Sequence, residues 1–251
     1  RAGLLIERNL YVYRRIWIVI VSGFFEPLFY LLGIGFGLGA LVGSVAGPDG
    51  REVSYQLFVA PALLASSSMN GAIMESTFNV FFKLNYQKTY DAILAPPMSV
   101  GDVALGEIGW ALIRGGMYAG AFLAVMALLG LVVSPWVVLA FPAALLVGFA
   151  FAAVGMAATT FMRTWQDFDL IQLVILPLFL FSATFFPLET YPEGLRWVVQ
   201  VTPLYQGVDL IRSLTVGAIS PVLLVHVAYL LVMGLLGLAV TSRRLGKLLL
   251  K

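Results

Sequence analysis

Six long apolar stretches leave this chain few ways to fold. A segment that crosses a hydrocarbon core of about 30 Å needs about 20 predominantly apolar residues in helical form, because lipid offers no partner to an unpaired backbone group. Residues 16–41, 57–81, 103–133, 135–161, 170–188 and 221–240 meet that length. With 61% hydrophobic and 11% charged residues over 251 positions, the chain reads as an integral membrane protein, all-α, built from six transmembrane helices in one domain.

Between the fifth and sixth stretches, residues 189–220 carry apolar runs too short and too interrupted by Pro, Gly and charge to cross. They read as re-entrant or interfacial outer helices, with Trp197 and Tyr205 suited to the headgroup level. Basic residues set the orientation. Arg1, Arg8, Arg14, Arg15, Lys83, Lys88, Arg163, Arg243, Arg244, Lys247 and Lys251 fall on one side of a six-span layout, against Arg51, Arg196 and Arg212 on the other. The positive-inside rule makes the first side cytoplasmic, with both termini there. Residues 1–15 have Leu5, Ile6, Leu10, Val12 and Tyr13 on one half of a helix and Arg1, Glu7, Arg8, Arg14 and Arg15 on the other, with Asn9, Leu4 and Tyr11 breaking the pattern. This predicts a basic helix on the inner membrane surface. The chain opens on Arg1 rather than Met, so a native start is expected upstream.

Several chemistries are excluded. One His and no Cys rule out zinc fingers, disulfide frameworks and any metal site needing two His, and the split basic residues leave no nucleic-acid footprint. No Gly-rich turn followed by Lys and Ser/Thr is present, so ATP is not bound through a P-loop. The "GIGFGLG" run, Gly33 to Gly39, lies inside an apolar span, where four-residue Gly spacing favours close helix packing. His226, without a second His, reads as a packed side chain, and no catalytic set is visible.

Charges inside spans are costly and normally face protein or a water-filled cavity. Glu26 and Arg114 each lie about 15 Å deep at 1.5 Å per residue and are expected to pair. The second span is the most polar. Ser68, Glu75 and Asn79 form one helical stripe, and Ser66, Asn70 and Thr77 a nearly opposite one, which suits a transport path or polar contacts between helices. The fifth span adds Gln172, a kink-capable Pro177, Ser182, Thr184 and the aromatics Phe179, Phe181, Phe185 and Phe186, a lining for amphiphilic or apolar cargo. After the second span, Phe82, Tyr86, Tyr90 and Ile93 recur on one helical face, with Lys83, Gln87, Lys88 and Asp91 around the other and Pro96-Pro97 as the stop. Such a cytoplasmic helix suits either the membrane surface or a groove on a soluble partner.

Two long segments, "YQKTYDAILAPPMSVGDVALGEIGWALIRG" and "SATFFPLETYPEGLRWVVQVTPLYQGVDLIRSL", resemble ABC type-2 exporter permeases, and "EPLFYLLGIGFGLG" is most similar to the branch holding lipooligosaccharide (nodulation-factor) and daunorubicin-type drug exporters. The resemblance spans essentially the whole chain. It implies a non-catalytic permease subunit in the bacterial cytoplasmic membrane, paired with a second permease (the same chain or a relative) and two cytosolic P-loop ATPase subunits that hold ATP and Mg2+, with no cofactor on this chain. Residues 1–15 would be the interface helix and 82–95 the coupling helix, with Phe82, Lys83, Tyr86, Lys88, Tyr90, Asp91 and Ile93 meeting the ATPase. Ser66, Asn70, Glu75, Thr77, Phe179, Ser182, Phe185 and Phe186 would line the route, and 189–220 would cap it. The alternative is an ion-coupled secondary transporter with Glu26 or Glu75 as proton site.

Overall fold

A computed structural model describes residues 2–14, 25–87 and 99–249. The chain is almost entirely helical: α1 Ala2–Arg14, α2 Phe25–Val42, α3 Tyr55–Asn85, α4 Val100–Leu128, α5 Pro135–Thr159, α6 Asp167–Leu180, α7 Glu193–Val201, α8 Pro203–Val216 and α9 Val222–Leu249. A small antiparallel hairpin, β1 Ser44–Ala46 and β2 Glu52–Ser54, joins α2 to α3 and is closed by Ser44 Oγ donating to Glu52 at 2.8 Å.

Helix starts follow local chemistry. Ser99 and Asp102 form a reciprocal capping box at α4, with Asp102 N–H on Ser99 Oγ (3.2 Å) and Ser99 N–H on the Asp102 carboxylate (2.9 Å). Ser134 before Pro135 and Thr202 before Pro203 combine a hydroxyl cap with a Pro whose missing N–H would have no helical partner anyway. At the other end of α8, Gly217 ends the helix in the left-handed region (φ 91°), which a residue without Cβ adopts freely.

The core lies where α3, α4, α5, α8 and α9 meet. Because lipid is as apolar as leucine, association rests on close packing. The α5/α9 crossing shows it: a Cβ at Gly237 would lie 2.7 Å from the Ala153 carbonyl carbon and 2.8 Å from Val154 N. In the "GIGFGLG" run only the far end works this way. Gly39 abuts the Gln56 side chain, while Gly33 and Gly37 have open space beside them and the helix widens to a π-helix over Leu31–Leu38.

Among the described residues five helices are long and apolar enough to cross a membrane: α2, α3, α4, α5 and α9. The stretch expected as the fifth of six spans forms a shorter element. Helix α6 has 14 residues, about 21 Å, with Pro177 in its last turn. The chain then bends through 181–186, with Ala183 at φ 52°, an uncommon conformation for a residue with a Cβ. Arg212, 2% exposed, holds this bend: Nη2 donates to Ala183 O (2.7 Å), Nε donates to Phe58 O on α3 (3.0 Å), and the guanidinium lies 3.7 Å over the Phe58 ring. Beside it, Tyr191 donates to Leu180 O at 3.2 Å, and burial pushes its phenol pKa above the usual value. Residues 189–220 then hold the short helices α7 and α8.

A polar cleft and two buried ion pairs

Helix α3 walls an open cleft of about 730 Å³ against α2, α4 and α6. Ser66, Asn70, Glu75 and Phe179, expected along a route, line it together with Glu26 and Arg114. So do Tyr30, Phe78, Phe82 and Tyr118, which makes the lining aromatic as well as polar. Two members of each polar stripe of the second span, Glu75 and Asn79 from one and Ser66 and Asn70 from the other, therefore share one cavity. Five residues of α3, Glu75–Asn79, form a π-helical turn, whose extra residue rotates the following helix relative to the preceding one. Ser68 and Thr77 turn inward and donate to Leu64 O (3.0 Å) and Ile73 O (2.6 Å).

Four expected route residues lie outside the cleft. Thr77 is buried against its own helix. Ser182 is fully buried with its hydroxyl 2.9 Å from that of Thr202, Phe185 is buried edge-on to Phe179 (5.1 Å between ring centres), and Phe186 is exposed beyond the bend. The bend at 181–186 carries these three away from the axis of α6 that the sequence pattern extended through them.

Equal depth brings Glu26 and Arg114 to one cleft, but Arg114 does not take Glu26 as its partner. Its Nη1 pairs with Glu75, and its Nε donates to Tyr118 OH at 3.1 Å. Glu75 is 5% exposed and also accepts from Trp110 Nε1 (3.0 Å) and Asn79 Nδ2 (2.6 Å), whereas the Glu26 side chain is exposed to the cleft. A buried carboxylate competes better for the cation than a wet one, since water already solvates the second.

Lys83, expected on the outside as an ATPase contact, is 5% exposed. Its Nζ donates to both Glu107 oxygens (2.8 and 2.9 Å) and to Asn9 Oδ1 (3.2 Å), and Asn9 Nδ2 donates to Glu107 at 3.4 Å. Asn9, which broke the amphipathic pattern of α1, is thus buried. With Leu5 buried and Ile6 against Gly109, α1 packs on α4. Helix α3 ends at Asn85, so Phe82 and Lys83 belong to the end of a span. Tyr86 is exposed, with its ring 5.4 Å from that of Phe82. Lys88, Tyr90, Asp91 and Ile93 lie outside the described residues.

Sequence reasoning missed Asn9, Glu107, Trp110 and Tyr118. Glu107 carried a usable signal, an acid inside an apolar run on the same terms as Glu26. The others are neutral side chains whose roles exist only once a charge is beside them.

An open cleft with a polar and aromatic lining among apolar helices fits a transport protein, and comparison with known proteins gives the same class. The ABC-2 type transporter family matches residues 2–216. The chain belongs to that family. Nodulation protein J of Rhizobium meliloti (strain 1021) is 34% identical over 225 residues, 88% of this chain and 82% of that protein. Nodulation protein J of Rhizobium leguminosarum bv. trifolii is 35% identical over 195 residues, covering 76% and 72%. The inner membrane transport permease YadH of Escherichia coli (strain K12) is 23% identical over 201 residues, covering 78% and 75%. This ABC-2 chain is therefore a multi-pass membrane subunit of transport-permease type.

Proposed function

We propose that this chain is the permease half of an ATP-driven exporter. It moves an amphiphilic or lipid-linked substrate, or a drug, out across the bacterial cytoplasmic membrane. Energy comes from a P-loop ATPase on a separate chain that holds ATP and Mg2+. The observation that carries the reading is the cleft: charged, amide and hydroxyl groups share one wall with aromatic rings, a surface matched to a molecule with both polar and apolar parts. Two ATPase subunits and a second permease subunit, most simply another copy of this chain, complete the assembly. In that assembly α6 and the bend after it serve as the sixth membrane element, α7 and α8 cap the outer end, and both termini are cytoplasmic. Helix α1 lies along the inner interface while holding α4, and the segment around Tyr86, Lys88, Tyr90, Asp91 and Ile93 enters the ATPase groove.

Ion-coupled transport through Glu75 is disfavoured by its pairing with Arg114, Trp110 and Asn79, which leaves that carboxylate few free lone pairs for a proton cycle. The deciding experiment reconstitutes the chain with a cytosolic P-loop ATPase subunit of the ABC type. Export into vesicles should require ATP hydrolysis, and Tyr86→Ala with Tyr90→Ala should abolish export while insertion persists. ATP-independent export, or full export and ATPase binding by the double variant, would reject the reading.

A further inference from the structure

Helices α3 and α4 are joined by two buried ion pairs of opposite polarity. Glu75 of α3 meets Arg114 of α4, and Lys83 of α3 meets Glu107 of α4. Their side chains are 5 and 19% exposed in the first pair and 7 and 2% in the second. The pairs are eight positions apart on α3, about 12 Å along the helix. Each is extended by neutral donors or acceptors: Trp110, Asn79 and Tyr118 around the first, Asn9 of α1 around the second.

Contacts on the far side of the cleft are different in kind. Helix α6 buries only Phe168 among its 14 residues, and it meets α2 through an edge-on Tyr30–Phe179 ring contact with centres 5.7 Å apart. At the inner end, Phe78 packs on Phe168 (4.2 Å between centres) and Trp165, an apolar contact that slides without breaking a charge pair. Two polar clamps thus hold one wall, and smooth aromatic contacts hold the other.

We infer that α3 and α4, with α1 attached through Asn9, move as one rigid lever during transport, and that the cleft changes shape between this lever and the α2/α6 wall. Glu75, Lys83, Glu107 and Arg114 are positioning residues: they keep the two spans in fixed register so that a push on the segment between Gln87 and Ser99 reaches both at once. Sliding α3 past α4 far enough to exchange partners sets Lys83 toward Arg114 or Glu75 toward Glu107, so like charges oppose the motion. This inference rests on the ATP-driven reading.

Because the chain has no cysteine, spin labels can be placed at will. The full complex with its ATPase, in lipid nanodiscs, is labelled at exposed positions Met74 and Met117 to report within the lever, and at Met74 and Leu173 to report across the cleft. Pulsed dipolar spectroscopy compares the nucleotide-free complex with one trapped by ATP, Mg2+ and orthovanadate. The expected result is a shifted distance distribution for Met74/Leu173 and an unshifted one for Met74/Met117. Equal shifts in both pairs would overturn the lever and leave ATP-driven motion standing. No shift in either would overturn the ATP-driven reading and the lever with it. Adding Lys83→Gln and Glu107→Gln should broaden the Met74/Met117 distribution; an unchanged width would show that the pair does not set the register and would overturn its positioning role.

Discussion

Replacing Glu107 with Leu isolates what the inner ion pair contributes. In the native arrangement Lys83 Nζ has three acceptors within 3.2 Å, two of them on Glu107, and almost no water. Glu107→Leu removes the countercharge that Lys83 has among the described residues and leaves its ammonium with one amide oxygen. Breaking a buried pair from one side costs about 3–5 kcal/mol, because the remaining charge is stranded. At about 2–4 °C per kcal/mol for a chain of this size, the melting temperature should fall by roughly 6–20 °C. Lys83→Met added to Glu107→Leu removes the stranded charge as well. What remains is the orphaned Asn9 amide, worth about 1–3 kcal/mol, so the double variant should recover about half of the loss. Thermal unfolding of detergent-solubilised protein, followed by size-exclusion fluorescence, measures all three. A single variant within 2 °C of native by about the scaling above, or a double variant no better than the single, would refute the claim that these two charges are desolvated and mutually dependent.

Other substitutions probe the frame around the cleft. Gly237→Ala drives a Cβ into the Ala153 and Val154 backbone and should cost about 1–3 kcal/mol, whereas Gly115→Ala, with nothing within 4 Å, should stay within about 0.5 kcal/mol in the same melting assay. Arg212→Lys keeps the charge but cannot span two carbonyls with a planar fork. It should destabilise by about 1–3 kcal/mol and raise hydrogen exchange selectively in 181–190, and exchange unchanged there would show that the bend holds itself.

Hydropathy made most of the fold legible, because the requirement for about 20 apolar residues acts on one helix at a time. The stretch at 170–188 escaped that ruler for a tertiary reason. Its composition is apolar to the end, and the bend at Ala183 is held by Arg212 from 29 residues downstream, about which a local window knows nothing. The cleft was half legible for the same kind of reason. Polar side chains in the second span announced an internal surface, but that the cleft takes in members of both stripes depends on where α2, α4 and α6 stand around the helix, which the period of one helix does not give. Lys83 shows the converse error. A lysine near the end of a span is expected to reach for water, and only the presence of Glu107 and Asn9 on two other helices turns it inward.

Why α3 and α4 should be fastened by charges at all follows from the solvent. In water, apolar faces would drive two helices together, and a buried ion pair adds little to that. In lipid the drive is absent, and two smooth helices packed by leucine and alanine could slide in steps of one turn at small cost. Opposite-polarity pairs eight residues apart on one helix and seven on the other favour a single antiparallel register, since a slip by that spacing faces Lys83 with Arg114 or Glu75 with Glu107 and leaves the other two charges unpaired. Register is the property a transmitted push requires: a helix that slips dissipates the displacement it was given. The same two pairs would be an unnecessary expense in a static anchor, where any of several registers would serve.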